Sequence, residues 1–217
     1  FVPVDETIEP SQQSVLPGHV MKEIIKDADT IAVAHCICRM SMKLVGRDCG
    51  HPTEVCIKFN KLARFLIEKG FAREIGVQEA LKINKEASEA GLVHFTDNAI
   101  ENVQQNCNCC GCSCWNLGRI KRRKVPRDVI IATYFIRETD PSACSGCGNC
   151  VEICPVDAVT LVEGEAIVDE DWCIGCGVCS FPCKTDAIRI VPRGDLKKDA
   201  PDKDFNTLHE KILRNRD

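Results

Sequence analysis

The sequence predicts an α+β protein in two parts: a mainly helical α/β, Cys-rich N-terminal domain, then a smaller module built on an internal repeat. Three observations carry that reading. Cys144-x2-Cys147-x2-Cys150-x3-Cys154 recurs 29 positions later as Cys173-x2-Cys176-x2-Cys179-x3-Cys183. Upstream, apolar residues alternate between short strand-like runs and helical stripes. Nine further cysteines lie among those elements in metal-ligand spacings rather than in the even count of a disulfide framework.

Residues 1–17, punctuated by Pro3, Pro10 and Pro17, read as an extended lead-in. The Cys-rich domain, 18–118, opens with a short helix over 20–28 and an apolar strand over 30–34. That strand delivers His35-Cys36-Ile37-Cys38-Arg39 at its end. Cys49 falls in a Gly/Pro/Asp/His-rich loop over 47–52. Thr53 is a candidate cap for a helix to about residue 69, with Val55, Phe59, Leu62 and Leu66 on one stripe and Gly70 closing it. Cys56 would then occupy the first turn, where free N–H groups and the positive dipole end favour an anion. Helices over 77–90, ended by Gly91, and over 97–105 lead into Cys107, Cys109, Cys110, Cys112 and Cys114.

Residues 119–137 read as a basic connector (Arg119 to Lys124, with Arg127) and an apolar strand over 129–136. The repeat module occupies 138–192, where Asp157-Ala158-Val159 recurs as Asp186-Ala187-Ile188. Residues 159–162 and 166–168 flank Glu163-Gly164-Glu165 as a hairpin. The tail, 193–217, is charged, with Phe205, Leu208, Ile212 and Leu213 spaced for a short amphipathic helix. Such a helix is too short to be stable alone and is expected to dock.

Composition narrows the chemistry. Aromatic residues make up only 5% of the chain, so part of its stability must come from something other than a large core. Seventeen thiols at these spacings imply a reducing compartment and an anaerobic setting, because exposed clusters and thiolates oxidise readily. A net charge of −4 argues against nucleic acid as the main partner. No apolar stretch approaches the roughly 20 residues of a membrane span, and no signal-peptide pattern is present. The expectation is a cytoplasmic protein that contacts membranes only through partners. No G-x-G-x-x-G, P-loop or Ser/His/Asp arrangement is evident, so no catalytic residues are assigned and no small-molecule substrate is expected.

Each C-x2-C-x2-C-x3-C run matches the spacing that wraps a [4Fe–4S] cubane, with the fourth Cys crossing to the other cluster. Gly146, Gly148, Gly175 and Gly177 permit the turns. One cluster is therefore assigned to Cys144, Cys147, Cys150 and Cys183, the other to Cys173, Cys176, Cys179 and Cys154. The module resembles bacterial two-cluster ferredoxins. It departs from them at Pro182, which precedes the last Cys of the second run instead of following it. Two adjacent clusters exceed what stability needs, which points to electron transfer.

The nine upstream cysteines suffice for two more clusters and one spare, up to four clusters in all. Their grouping stays open at this point: early (Cys36, Cys38, Cys49, Cys56) and late (Cys107, Cys109, Cys110, Cys112, Cys114) sets either share sites or hold one each. Structural zinc is the main alternative, and the Cys109-Cys110-Gly111 triplet also suits a noncubane cluster. The string His35-Cys-x-Cys-Arg39, Gly70-Phe-Ala-Arg-Glu74, Glu89-Ala-Gly-Leu-Val-His94 and Cys107-Asn-Cys-Cys-x-Cys112 resembles a family of anaerobic 4Fe–4S dicluster proteins with an extra upstream iron–sulfur domain. Its members tend to carry Cys where this chain has Ser113, which implies that this position is not an essential ligand. They often carry a winged-helix-like segment ahead of it.

His35, His51 and His94 read as structural. Arg39 is a candidate to balance cluster charge or a plain surface residue, and the Arg119–Arg127 run reads first as a solvated linker, with docking of an acidic partner or contact with nucleic acid as the alternatives. The leading expectation is a polyferredoxin-like electron-transfer subunit serving a redox protein partner or a larger oxidoreductase complex. A reductase with an open or unusual cluster at the upstream site is the alternative, and an iron–sulfur redox sensor the second.

Overall fold

The computed structural model describes residues 21–97, 99, 101–131, 133–194 and 202–214. The 1–17 lead-in and the start of the first predicted helix lie outside them. The N-terminal half is built around a five-stranded antiparallel sheet, where the sequence reading expected mainly helix. Helix α1 (Met21–Asp27) leads into β1 (Ile31–His35), α2 (Ile37–Leu44), β2 (Glu54–Phe59), α3 (Asn60–Glu68) and β3 (Arg73–Ile75). Then come α4 (Val77–Glu89), β4 (Val93–Thr96) and β5 (Gln105–Cys109), in sheet order β3-β1-β2-β5-β4.

Period-2 alternation gives the sheet two chemically different faces. Ile31 and Val33 of β1 join Ile57 and Phe59 of β2 in a core closed by Met21 and Ile25 of α1 and Ala80 of α4. The intervening positions, Cys56 and Lys58 of β2 with Cys107 and Cys109 of β5, belong to the opposite face. On β5 the helix-side residues are Asn106 and Asn108, which join Asn84, Ser88 and His94 in a buried hydrogen-bond network. Among these bonds, His94 Nδ1 lies 2.7 Å from Asn108 Oδ1 and its Nε2 2.9 Å from Ser88 Oγ.

Two predicted helices are corrected here. Residues 54–59 are the strand beside β1 and β5, so Cys56 lies mid-strand and not at a helix start. Val55 and Phe59 are four apart, a spacing that both periods satisfy, and pairing on both sides of β2 decides for strand. Among the described residues of the predicted 97–105 helix none is helical: Asp97 Oδ2 accepts the Gln104 N–H at 2.7 Å, and Gln105 already begins β5. The supposed basic connector is helical as α5 (Trp115–Arg123), with Leu117 and Ile120 fully buried. Likewise the predicted 129–136 strand divides into a helical turn, α6 (Arg127–Ile130), and β6 (Phe135–Thr139).

The repeat module pairs β6 with β9 (Ile188–Pro192) and forms the predicted hairpin from β7 (Val159–Val162) and β8 (Glu165–Val168). A short helix, α7 (Asn149–Glu152), and a 3-10 turn, Val178–Ser180, hold equivalent places in the two repeats. The repeat extends to backbone: Asp157 and Asp186 are both left-handed, at φ 59° and 51°. Gly175 has no substitute, because a Cβ there would overlap the carbonyl oxygen of Phe135. The tail forms α8 (Phe205–Arg214) with no buried residue, and Lys203 O accepts the Glu101 N–H just before it. No helix among the described residues is long and apolar enough to cross a membrane.

Candidate metal centres

In the repeat module the cysteines surround two empty spaces. Cys144, Cys147 and Cys150 line the first together with Cys183 from the other run. Cys173, Cys176 and Cys179 line the second together with Cys154. The chain thus brings the fourth cysteine of each run to the opposite cavity. The first cavity reaches the surface at Cys147, whereas all four cysteines of the second are buried. Burial pushes the Cys154 and Cys176 thiols up and Cys179 up to about 12. Four thiolates there need a metal to carry their charge.

Arg137 supplies an independent indication. It is only 2% exposed, it lines both cavities, and none of its three guanidinium nitrogens has a hydrogen-bond partner. A buried cation without acceptors is costly. Sulfur-rich anions in the two cavities would provide the missing acceptors. All-thiol donor sets, empty space between them and an orphaned guanidinium fit a pair of [4Fe–4S] clusters.

The upstream cysteines mix early and late sets. Cys49, Cys110 and Cys112 place their sulfurs within 4.8 Å of one another, and Ser113 Oγ donates to Cys49 Sγ at 3.3 Å. Cys36 packs beside this trio with Cys110. The remaining five run as a chain of thiol contacts, Cys38 to Cys114 to Cys109 to Cys107 to Cys56, the last pair 3.7 Å apart. The two groups meet at Cys36 and Cys38.

Both groups hold a buried cation. Arg39 donates from Nη1 to Pro52 O at 2.7 Å and from Nη2 to Asn108 O at 2.5 Å, while its Nε has no partner. Its charge also bears on Cys36, Cys110 and Cys49. Lys58 donates to Gln105 Oε1 at 2.9 Å; burial opposes its charge, but Cys56 and Cys107 outweigh burial and hold it protonated. Cys36 and Cys114 stand at the N-caps of α2 and α5, so two positive helix ends converge on the site. Hydrogen bonds from Cys109 and Cys38, then the N–H groups of Leu117 and Asn116, bring Cys114 down to about 4. Among the described residues no imidazole joins the Cys49–Cys110–Cys112 trio; His35 bonds Thr53 and His94 belongs to the polar network. Thiolate-only sets beside buried cations fit anionic metal–thiolate centres.

The upstream site and the repeat module share one core. Val93, Cys109, Cys114, Leu117 and Ile120 pack in a single cluster with Cys150, Cys154, Cys173 and Cys176. Gly111, between Cys110 and Cys112, lies so close to Pro155 that a Cβ would overlap its carbonyl oxygen. Lys121 Nζ pairs with Asp157 at 2.8 Å across the same junction. Sequence reasoning missed Lys58 and Arg137, and took Gly111 only as part of the Cys109-Cys110-Gly111 triplet and not as a contact to Pro155. The one available signal was a lone cation in an otherwise apolar alternation, Val55-Cys-Ile-Lys-Phe59 and Phe135-Ile-Arg137.

Comparison with known proteins agrees with the geometry of the module. The family model for a 4Fe-4S binding domain matches residues 138–160 and 166–189, one match per cysteine run. No curated protein matches the chain. The matches establish a two-motif ferredoxin-type module with an iron–sulfur, electron-transfer role.

Proposed function

We propose that the chain is a polyferredoxin-like electron relay, passing low-potential electrons between a redox protein partner and a larger oxidoreductase complex in a reducing, anaerobic cytoplasm. Cys144, Cys147, Cys150 and Cys183 would hold one [4Fe–4S] cluster, and Cys173, Cys176, Cys179 and Cys154 the second. The nine upstream cysteines would hold up to two more metal centres, one on the Cys36–Cys49–Cys110–Cys112 side and one on the Cys38–Cys109–Cys114 side, with Cys56 or Cys107 completing it and the other left as the spare thiol. Each cluster supplies a one-electron carrier.

The protein's residues do the rest. The shared core excludes water and fixes the spacing between centres; Gly111 on Pro155 keeps the upstream loop against the chain that carries Cys154. Arg39, Lys58 and Arg137 offset charge and set potentials through burial and hydrogen bonding. The observation that carries the reading is the common core: a scaffold domain has no need to bury its cysteines with those of the second ferredoxin cavity. Iron, acid-labile sulfide and zinc per chain on anaerobically purified protein test it. About sixteen iron is the four-cluster outcome, and about eight iron with one zinc reduces the upstream half to a scaffold.

A second reading has one observation of its own. The Cys49–Cys110–Cys112 trio offers three close sulfurs and reaches the surface at Cys112, which suits a centre with an open position and hence a reductase. A substrate-dependent spectral change confined to the upstream centre would favour it.

A further inference from the structure

Helices α2 and α5 each bury one face and leave the other uncovered. On α2, Ile37, Met40 and Leu44 follow one another at helical spacing on the outer face, with Val45 just beyond. Ile37 is 73% exposed, Leu44 85% and Val45 67%, while Arg39 turns inward. On α5 the outer face runs Trp115, Arg119, Arg123, with Trp115 68% exposed, while Leu117 and Ile120 turn inward. The two helices approach each other at their N-terminal ends, where the Trp115 backbone N–H points to Cys38 and the free Cys38 and Cys114 thiols are in hydrogen-bond contact.

Charge on these segments is one-sided. Residues 35–47 and 113–127 together carry nine Lys and Arg and no Asp or Glu, whereas the whole chain is −4 and the rest therefore −13. Lys43 pairs with Asp48, Lys121 with Asp157, and Arg122 bonds the carbonyls of Gly111 and Cys112. Arg47, Arg119, Arg123 and Lys124 are exposed with no acidic partner among the described residues.

We propose that the outer faces of α2 and α5 form the docking surface for an acidic redox protein, a small one-electron carrier whose apolar contact patch is rimmed by carboxylates. The inference rests on the relay reading and names its partner. Exposed apolar side chains that include a Trp, with unpaired cations on the same two segments, have the composition of a protein interface; charges at the rim steer encounter and the aromatic anchors it. A phosphate backbone would use the cations and leave Ile37, Leu44 and Val45 bare. The position is productive because electrons would enter or leave beside Cys38 and Cys114. Transfer from an anionic flavin hydroquinone gives the neutral semiquinone and one electron, which reduces one centre in this chain; no bond in the chain forms or breaks.

The test uses the full holoprotein and a purified acidic flavodoxin as probe, with affinity measured by calorimetry and electron transfer by stopped flow. Binding should weaken about tenfold between roughly 20 and 200 mM salt. Trp115→Ala and Leu44→Asp should each weaken it about tenfold, and Arg119→Glu with Arg123→Glu should abolish or reverse the salt dependence. All variants should keep their iron content and remain reducible by dithionite. Salt-independent binding, unchanged affinity in the variants, tighter capture of duplex DNA, or self-association through the same residues would each overturn the proposal. Loss of dithionite-reducible iron in the parent protein would instead overturn the relay reading beneath it.

Discussion

Arg137→Met removes the one charge that lines both ferredoxin cavities while keeping most of the side-chain volume. A charge at the wall of a cavity is taken as on the order of 7 Å from the cluster it would face. At an effective dielectric of about 20 it favours one added electron by about 2.4 kcal/mol. For a one-electron couple that is about 100 mV. Both potentials should therefore fall on the order of 100 mV. The second cavity should shift more, because all its cysteines are buried, while the first opens at Cys147, where water screens.

The assay is an EPR-monitored redox titration of Arg137→Met and Arg137→Lys beside the parent. The Lys variant keeps the charge and should stay within about 30 mV of the parent. The cluster-free protein should behave oppositely. There the guanidinium is buried and unpaired, so the Met variant should gain stability, by about 1–4 kcal/mol in urea unfolding. Unchanged potentials in an Arg137→Met protein with full iron content would refute the placement of this charge between two clusters.

Other expectations follow from the same structure. Gly111→Ala sets a Cβ into Pro155 and should cost about 1–3 kcal/mol by thermal unfolding, with weakened magnetic coupling between upstream and ferredoxin centres, whereas Gly76→Ser, where nothing lies within 4 Å, should be near neutral. Cys183→Ser should perturb the EPR signal of the cluster held by Cys144, Cys147 and Cys150, and Cys154→Ser the other. Effects on each residue's own run would contradict the crossing. Lys58→Met should lower the potential of the centre beside Cys56 and Cys107 by tens of millivolts and leave the ferredoxin signals in place. If no metal sits there, the same variant should only stabilise the fold.

The module was legible because its ligand spacing is local: three cysteines at i, i+3 and i+6 wrap one cavity whatever surrounds them, and the 29-residue offset announces the second. The crossing of Cys154 and Cys183 is what the resemblance to two-cluster ferredoxins implies, and in the structure each of the two lines the cavity of the other run. Upstream the signals were ambiguous. Val55 and Phe59 fit both helix and strand, and only the neighbours β1 and β5 decide between them. Strand β5 hides because Asn106 and Asn108 face a polar network instead of an apolar core, so no hydrophobic alternation marks it. Grouping of the nine cysteines depends on contacts across as many as 76 positions, as between Cys38 and Cys114, which no local pattern encodes. Arg137 and Lys58 escaped notice because a cation in a strand is ordinarily solvated.

The central claim is that the upstream cysteines hold redox centres in electronic contact with the ferredoxin pair. EPR of the fully reduced holoprotein, compared with partially reduced samples along the titration, tests it most directly. The upstream signals and the ferredoxin signals should broaden and split one another as the last electrons enter. A fully reduced spectrum equal to that of an isolated two-cluster module, with zinc accounting for the upstream thiols, would contradict it.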